Sequence, residues 1–201
     1  MSSRLHESCA VAVLSCALLS APAWAGDISR ASAVRFYTVC ASCHEAECSG
    51  RLSFRTEAAA AQGHMERYLG PLAWIDVEEL FALLRHTKER CDYYPVSATL
   101  PPDRRWQAGD LAGWHVARGI GYFLPLGDLA PGPYRLQLAF ASKAQGHLKV
   151  SGKRFEPVAD EALCPQQQAD IAFVVTDRGA HYLTVTGQSQ LVEVTLHPAG
   201  R

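Results

Sequence analysis

Cys40-Ala41-Ser42-Cys43-His44 is the stretch on which the reading of this chain turns. Two cysteines with two residues between them, and a histidine directly after the second, form the signature of covalent c-type haem attachment. The spacing has a chemical reason: two thiols on one helical turn reach the two vinyl groups of one porphyrin edge, and the next residue then lies under the iron. The motif predicts Cys40 and Cys43 as thioether sites for one haem c, with His44 as the proximal iron ligand.

Upstream, Asp27 is placed to cap a helix, and Ile28, Ala31, Val34, Tyr37 and Val39 recur every two to four residues. That pattern predicts a helix delivering the motif. Before it stand Arg4, an apolar run from Cys9 to Leu19, Pro22 and the small-residue frame Ala23-Trp24-Ala25. A charged start, a short apolar middle and an A-x-A site predict a secretory signal peptide over residues 1–25, too short for a permanent span. Val13-Leu14-Ser15-Cys16 faintly resembles a lipoprotein box, but the apolar run continues past Cys16. A free protein in the periplasm is therefore expected.

The chain has 201 residues, 48% hydrophobic and 19% charged, with a formal net charge of -1, which suits one or two small domains with their own cores. No basic excess draws it to nucleic acid. Of seven cysteines, Cys9 and Cys16 leave with the signal and the haem takes two, so Cys48, Cys91 and Cys164 remain. In an oxidising compartment two of these three are expected to pair. They do not form the two matched pairs of a zinc site.

Downstream of the motif, residues 45–54 have little periodicity and hold Ser49-Gly50, which predicts a loop on the haem edge. The alanine run of Glu57–Gln62 predicts a short helix ended by Gly63. The next residues, His64 and Met65, are the candidates for the distal iron ligand. Methionine opposite histidine raises a haem potential and a second histidine lowers it; the sequence leaves both open. Asp76 and Glu79 make a capping-box-like pair, followed by Val77, Leu80, Phe81 and Leu84 as a core-facing stripe. Cys91 falls two heptads after Val77, near the buried face, and Cys48 lies in the haem-edge loop. A Cys48–Cys91 disulfide is expected, closing a loop worth on the order of 4 kcal/mol.

Residues 27–94 together resemble a small monohaem c-type cytochrome: a first helix, the C-x-x-C-H turn, a middle loop with possible ligands and an amphipathic closing helix. The resemblance implies an all-α domain carrying one covalent haem for single-electron transfer, with a redox protein or membrane respiratory complex as partner. It also argues against His86 as a ligand, because the family's last helix packs away from the distal face. An alternative within the same chemistry is a haem protein with an open or labile sixth site, acting as a small-ligand sensor or redox enzyme subunit. An electron carrier or redox-complex subunit is expected rather than a stand-alone enzyme.

Tyr93-Tyr94-Pro95 ends the helical part, and residues 96–102 read as an extended linker. Glycines and prolines then punctuate residues 109–133, predicting turns and short strands, and Tyr134–Phe140, His147–Val150, Ile171–Thr176, Tyr182–Thr186 and Leu191–Leu196 carry strand patterns. The expected fold is multidomain α plus β: a cytochrome c-like haem domain at 26–95, then an antiparallel, jelly-roll-like β-sandwich at 103–201. The stretch Phe123–Leu136 resembles jelly-roll modules attached to secreted enzymes, some of which bind carbohydrate. Trp106, Trp114, Tyr122 and Phe123 are read first as core and second as a sugar-stacking platform. Asp160 and Glu161 read as a solvated pair in a loop, and no Ser-His-Asp constellation is present.

Overall fold

The structure is a computed structural model and describes residues 27–44, 57–116 and 121–200. The expected signal peptide, the Cys16 box and the haem-edge loop with Cys48 lie outside the described residues.

The first helix, α1 (Arg30–Arg35), is capped by Ser29 rather than Asp27: the Ser29 hydroxyl accepts from the Ser32 amide at 3.2 Å. At its end the Thr38 hydroxyl donates to the Val34 carbonyl at 2.6 Å, competing with the backbone ladder. The helix there widens into a π-helical turn, Phe36–Cys40, closed by the Ala41 amide on the Phe36 carbonyl, before α2 (Ala41–His44). Such single π turns recur at functional sites.

The second expected helix is twice as long as its alanine run suggested. Helix α3 covers Ala58–Leu69 and passes straight through Gly63, whose missing Cβ faces open space. A mid-helix glycine costs only about 1 kcal/mol, and the break comes at Gly70, in the left-handed region at φ 79°. Helix α4 (Trp74–Arg90) starts two residues before Asp76 and has no side-chain cap. Asp76 instead pairs with Arg35 at 3.1 Å, so the expected capping box is replaced by ties between helices. Val77, Leu80, Phe81 and Leu83 are buried, and Leu84 is half-buried.

The remainder is an antiparallel sheet of β1 (Arg105–Gln107), β2 (Gly121–Leu129), β3 (Gly132–Gly152), β4 (Pro157–Val175), β5 (Gly179–Gly187) and β6 (Leu191–Pro198). Between β1 and β2 lie the short helix α5 (Ala108–Leu111) and a 3₁₀ turn. The order is β1-β6-β3-β5-β2, with β4 on the other side of β3. Strand β3 belongs to two ladders: Tyr134–Phe140 pairs with β6, and Gly146–Gly152 pairs with β5. A register shift between Ala139 and Ala144 separates the halves. The two segments expected as separate strands are thus one bent strand, which lets the sheet turn over its own core. Asp160 and Glu161 sit in β4, not a loop, and Asp160 pairs with His147 at 2.5 Å.

The expected fold class, an independent all-α cytochrome domain followed by a β-sandwich, is corrected here: the protein is mainly β, and the helices are a layer on the sheet. Tyr37 of the π turn packs on Phe123 of β2 at 4.5 Å and on Tyr93 at 4.9 Å, and Tyr93 packs on Tyr182 of β5 at 4.5 Å. The Tyr93 amide donates to the Lys153 carbonyl at 2.9 Å. Helical and sheet side chains form one buried cluster, against which Val96, Ala98 and Leu100 also pack. A small cytochrome buries its helices on one another and on haem; these helices bury much of their apolar surface on a sheet.

Candidate functional site

The π turn and three helices line an open cavity of about 260 Å³. The end of the π turn and α2 supply Cys40, Cys43 and His44; α3 supplies Ala61, His64, Met65 and Tyr68; α4 supplies Leu80 and Leu84. Phe36, Val39 and Ser42 complete a lining that is overwhelmingly apolar, with thiols and imidazoles among its chemical groups. Small-molecule sites have this character: a mostly hydrophobic concavity with a few polar groups aimed inward.

The structure therefore brings Cys40, Cys43, His44, His64 and Met65 to one cavity. Cys40 is half-buried and Cys43 exposed, both as free thiols. Burial, helped by the neighbouring Cys43, pushes the Cys40 thiol up to about 11, so it stays protonated at physiological pH. The His44 and His64 rings face each other across the cavity, 6.1 Å between centres and 69° between planes. His64 is exposed at the mouth and packs on Tyr68, one helical turn on, at 5.2 Å. Met65 is 7% exposed and belongs to the buried core.

The remaining predicted residues lie elsewhere. His86 is outside the cavity: its Nε2 pairs with Asp92 at 2.7 Å and its ring packs on Tyr94. Cys91 is disulfide-bonded, its expected partner Cys48 lies outside the described residues, and Cys164 is a free, exposed thiol on β4. Trp106 (2% exposed), Trp114 (5%), Tyr122 (6%) and Phe123 (0%) are core, so they form no sugar-stacking platform. Among the described residues no three His, Cys, Asp or Glu side chains converge to hold a metal ion. Sequence reasoning missed Tyr68, Leu80 and Leu84 as walls of the site; the i+4 step from His64 to Tyr68 was the available signal.

No family model matches the chain, and no curated protein matches it. Among solved structures it is similar to the GH115 4-O-methyl-alpha-glucuronidase BtGH115A, at 16% identity and a TM-score of 0.34, over 71% of this chain and 24% of that one. It is also similar to a family 35 carbohydrate-binding module from an environmental isolate, at 12% identity and TM-score 0.32, over 52% and 89% of the two chains. A family 35 module from Clostridium thermocellum follows at 13% identity and TM-score 0.30, over 48% and 89%. The chain spans about a quarter of the glucuronidase it matches.

Among the described residues the helices are built onto a sheet and form no separate all-α domain, so the resemblance to a monohaem cytochrome is withdrawn. The electron-transfer function, the sensor alternative and the redox partner inferred from it go with it.

Proposed function

We propose that this is an exported, sheet-based binding protein whose helical pocket holds one covalently attached macrocycle, haem c, through Cys40 and Cys43 with His44 as axial ligand. One observation carries the reading: both thiols and two facing imidazoles line a single apolar cavity. The donor set suits the group. A flat macrocycle asks for apolar walls on both faces, two thiols along one edge and nitrogen ligands along its normal. Phe36, Val39, Leu80 and Leu84 supply the walls. The iron, when bound, supplies ligand and redox chemistry; the chain's own contribution is to attach, orient and shield the group. The signal-like N-terminus supports export to the periplasm, the compartment in which such attachment is completed.

The test is expression of the full chain with export in a host that matures haem c. The purified protein is expected to keep haem through denaturing electrophoresis, and Cys40→Ala with Cys43→Ala to lose it. A colourless wild-type protein that carries no covalent haem overturns the reading.

Carbohydrate contact by the sheet is a second reading, favoured by one feature of the register. Arg105, Thr195, Gln137 and Asp170 lie opposite one another across β1, β6, β3 and β4, and Gln107, Glu193, Ala139 and Gln168 form the next row. Ala139, the small member, opens a groove of about 200 Å³ lined by Gln137, Gln168, Asp170 and Glu193. Planar amides and carboxylates suit vicinal hydroxyls. Binding to a soluble glycan panel that is lost in Gln137→Ala/Gln168→Ala is the expected result; no binding across the panel removes the reading.

A further inference from the structure

The cavity holds two imidazoles at a spacing that matches one particular use. Each imidazole nitrogen bound to a metal stands about 2 Å from it, and about 1.1 Å from its own ring centre, so two imidazoles on opposite sides of one metal have centres roughly 6.2 Å apart. The His44 and His64 centres are 6.1 Å apart. Rotation of a ring about the metal–nitrogen axis leaves that separation unchanged, so the 69° between their planes is compatible with it.

We infer that His64, not Met65, is the second axial ligand of the group held in this pocket, and that the site is a closed bis-imidazole site. The inference rests on the haem reading above and extends it to the ligand that the sequence left open. Two further observations support it; Met65, on the next position of α3, is 7% exposed and lines the same cavity. His64 lies in the cavity lining, one helical turn before Tyr68, whose ring packs on it at 5.2 Å. His44 and His64 sit on separate helices, and both α3 and the π turn preceding α2 contact α4, so the spacing is set by helix packing rather than by a loop. Preset spacing of this kind lets a ligand pair close on a metal with little movement.

The experiment uses the full, haem-loaded chain and reads ligation spectroscopically. Wild type is expected to be low-spin in both oxidation states, to lack the weak far-red band of thioether-bound ferric iron, and to take up no carbon monoxide when reduced. His64→Ala is expected to become high-spin when ferric, to bind carbon monoxide stoichiometrically when reduced, and to regain the low-spin spectrum on addition of imidazole. Met65→Leu is expected to leave the spectrum unchanged. His64→Met, which retains a ligating atom, covers the case in which the alanine variant fails to load haem; it is expected to gain the far-red band and a higher midpoint potential. A thioether band in wild type, or loss of the low-spin state in Met65→Leu with His64→Ala unchanged, overturns the inference while leaving covalent haem intact. Absence of covalent haem from wild type overturns the underlying reading, and this inference with it.

Discussion

Glu79, in the middle of α4, accepts two hydrogen bonds from Ser29, one from its hydroxyl at 2.5 Å and one from its amide at 3.3 Å. The carboxylate is buried, and Ser29 is also the residue that caps α1. One contact thus closes the start of the first helix and locks it to the fourth, across the back of the cavity-bearing layer.

Ser29→Ala is expected to lower stability by about 1–2 kcal/mol through loss of the cap and of one charge-assisted bond. Glu79→Ala, which leaves the half-buried Ser29 donors without their acceptor, is expected to cost about 1–3 kcal/mol. Urea titrations followed by far-ultraviolet circular dichroism check both values. An effect below about 0.5 kcal/mol for Glu79→Ala contradicts the clamp.

The junction between helices and sheet is tested at Tyr37 and Phe123. Phe123→Ala empties a fully buried site and is expected to cost about 3–5 kcal/mol. Tyr37→Ala combined with Phe123→Ala is expected to cost less than the two changes added, because each removes the other's partner. Since both belong to one core, helical and aromatic signals of wild type are expected to melt together. Two separated transitions, with the helical signal lost first, would point to an independent helical unit.

In the haem-free chain, alkaline pH is expected to act at buried neutral acids, among them Cys40, Tyr37, Tyr122 and Tyr182. Burial raises Cys40 from 9.0 to about 11 and Tyr182 from 10.0 to about 12, and raises Tyr37 further still. Each is an acid held neutral in the fold and ionised more readily when unfolded. Their stabilising contribution is therefore complete below pH 9 and is lost as pH rises, through 9 to 11 for the thiol and from 10 upward for the phenols. The urea midpoint is expected to fall steadily above pH 9, and more shallowly in Tyr182→Phe. Iodoacetamide is expected to label Cys40 slowly at pH 8 and quickly near pH 11; equal rates at both contradict a buried thiol.

The features legible in the sequence were those written in a local pattern. The C-x-x-C-H spacing and the adjacent His64 and Met65 located the cavity residues, and the Val77-Leu80-Phe81 stripe located α4. The strands 182–186 and 191–196 were visible from alternation. What escaped depends on distant partners. Strand β2 contains Pro125 and Gly127, which read as turn residues, yet both sit at a bulge where the β2–β5 register shifts. Gly63 reads as a helix end in local propensity, which does not see α4 packing alongside α3. Above all, Tyr37 and Phe123 are ordinary aromatics in their own segments, and only their contact shows that helices and sheet share a core.

Five rings, Tyr37, Tyr93, Phe123, Phe155 and Tyr182, meet around Tyr93, with neighbouring centres 4.5–5.5 Å apart. Tyr37 and Tyr93 come from the first half of the chain and the other three from strands or their turns. Cutting after residue 95 would strip three rings from that hub and leave two large aromatic faces bare on the excised piece. An engineer wishing to transplant the cavity must therefore move the scaffold with it.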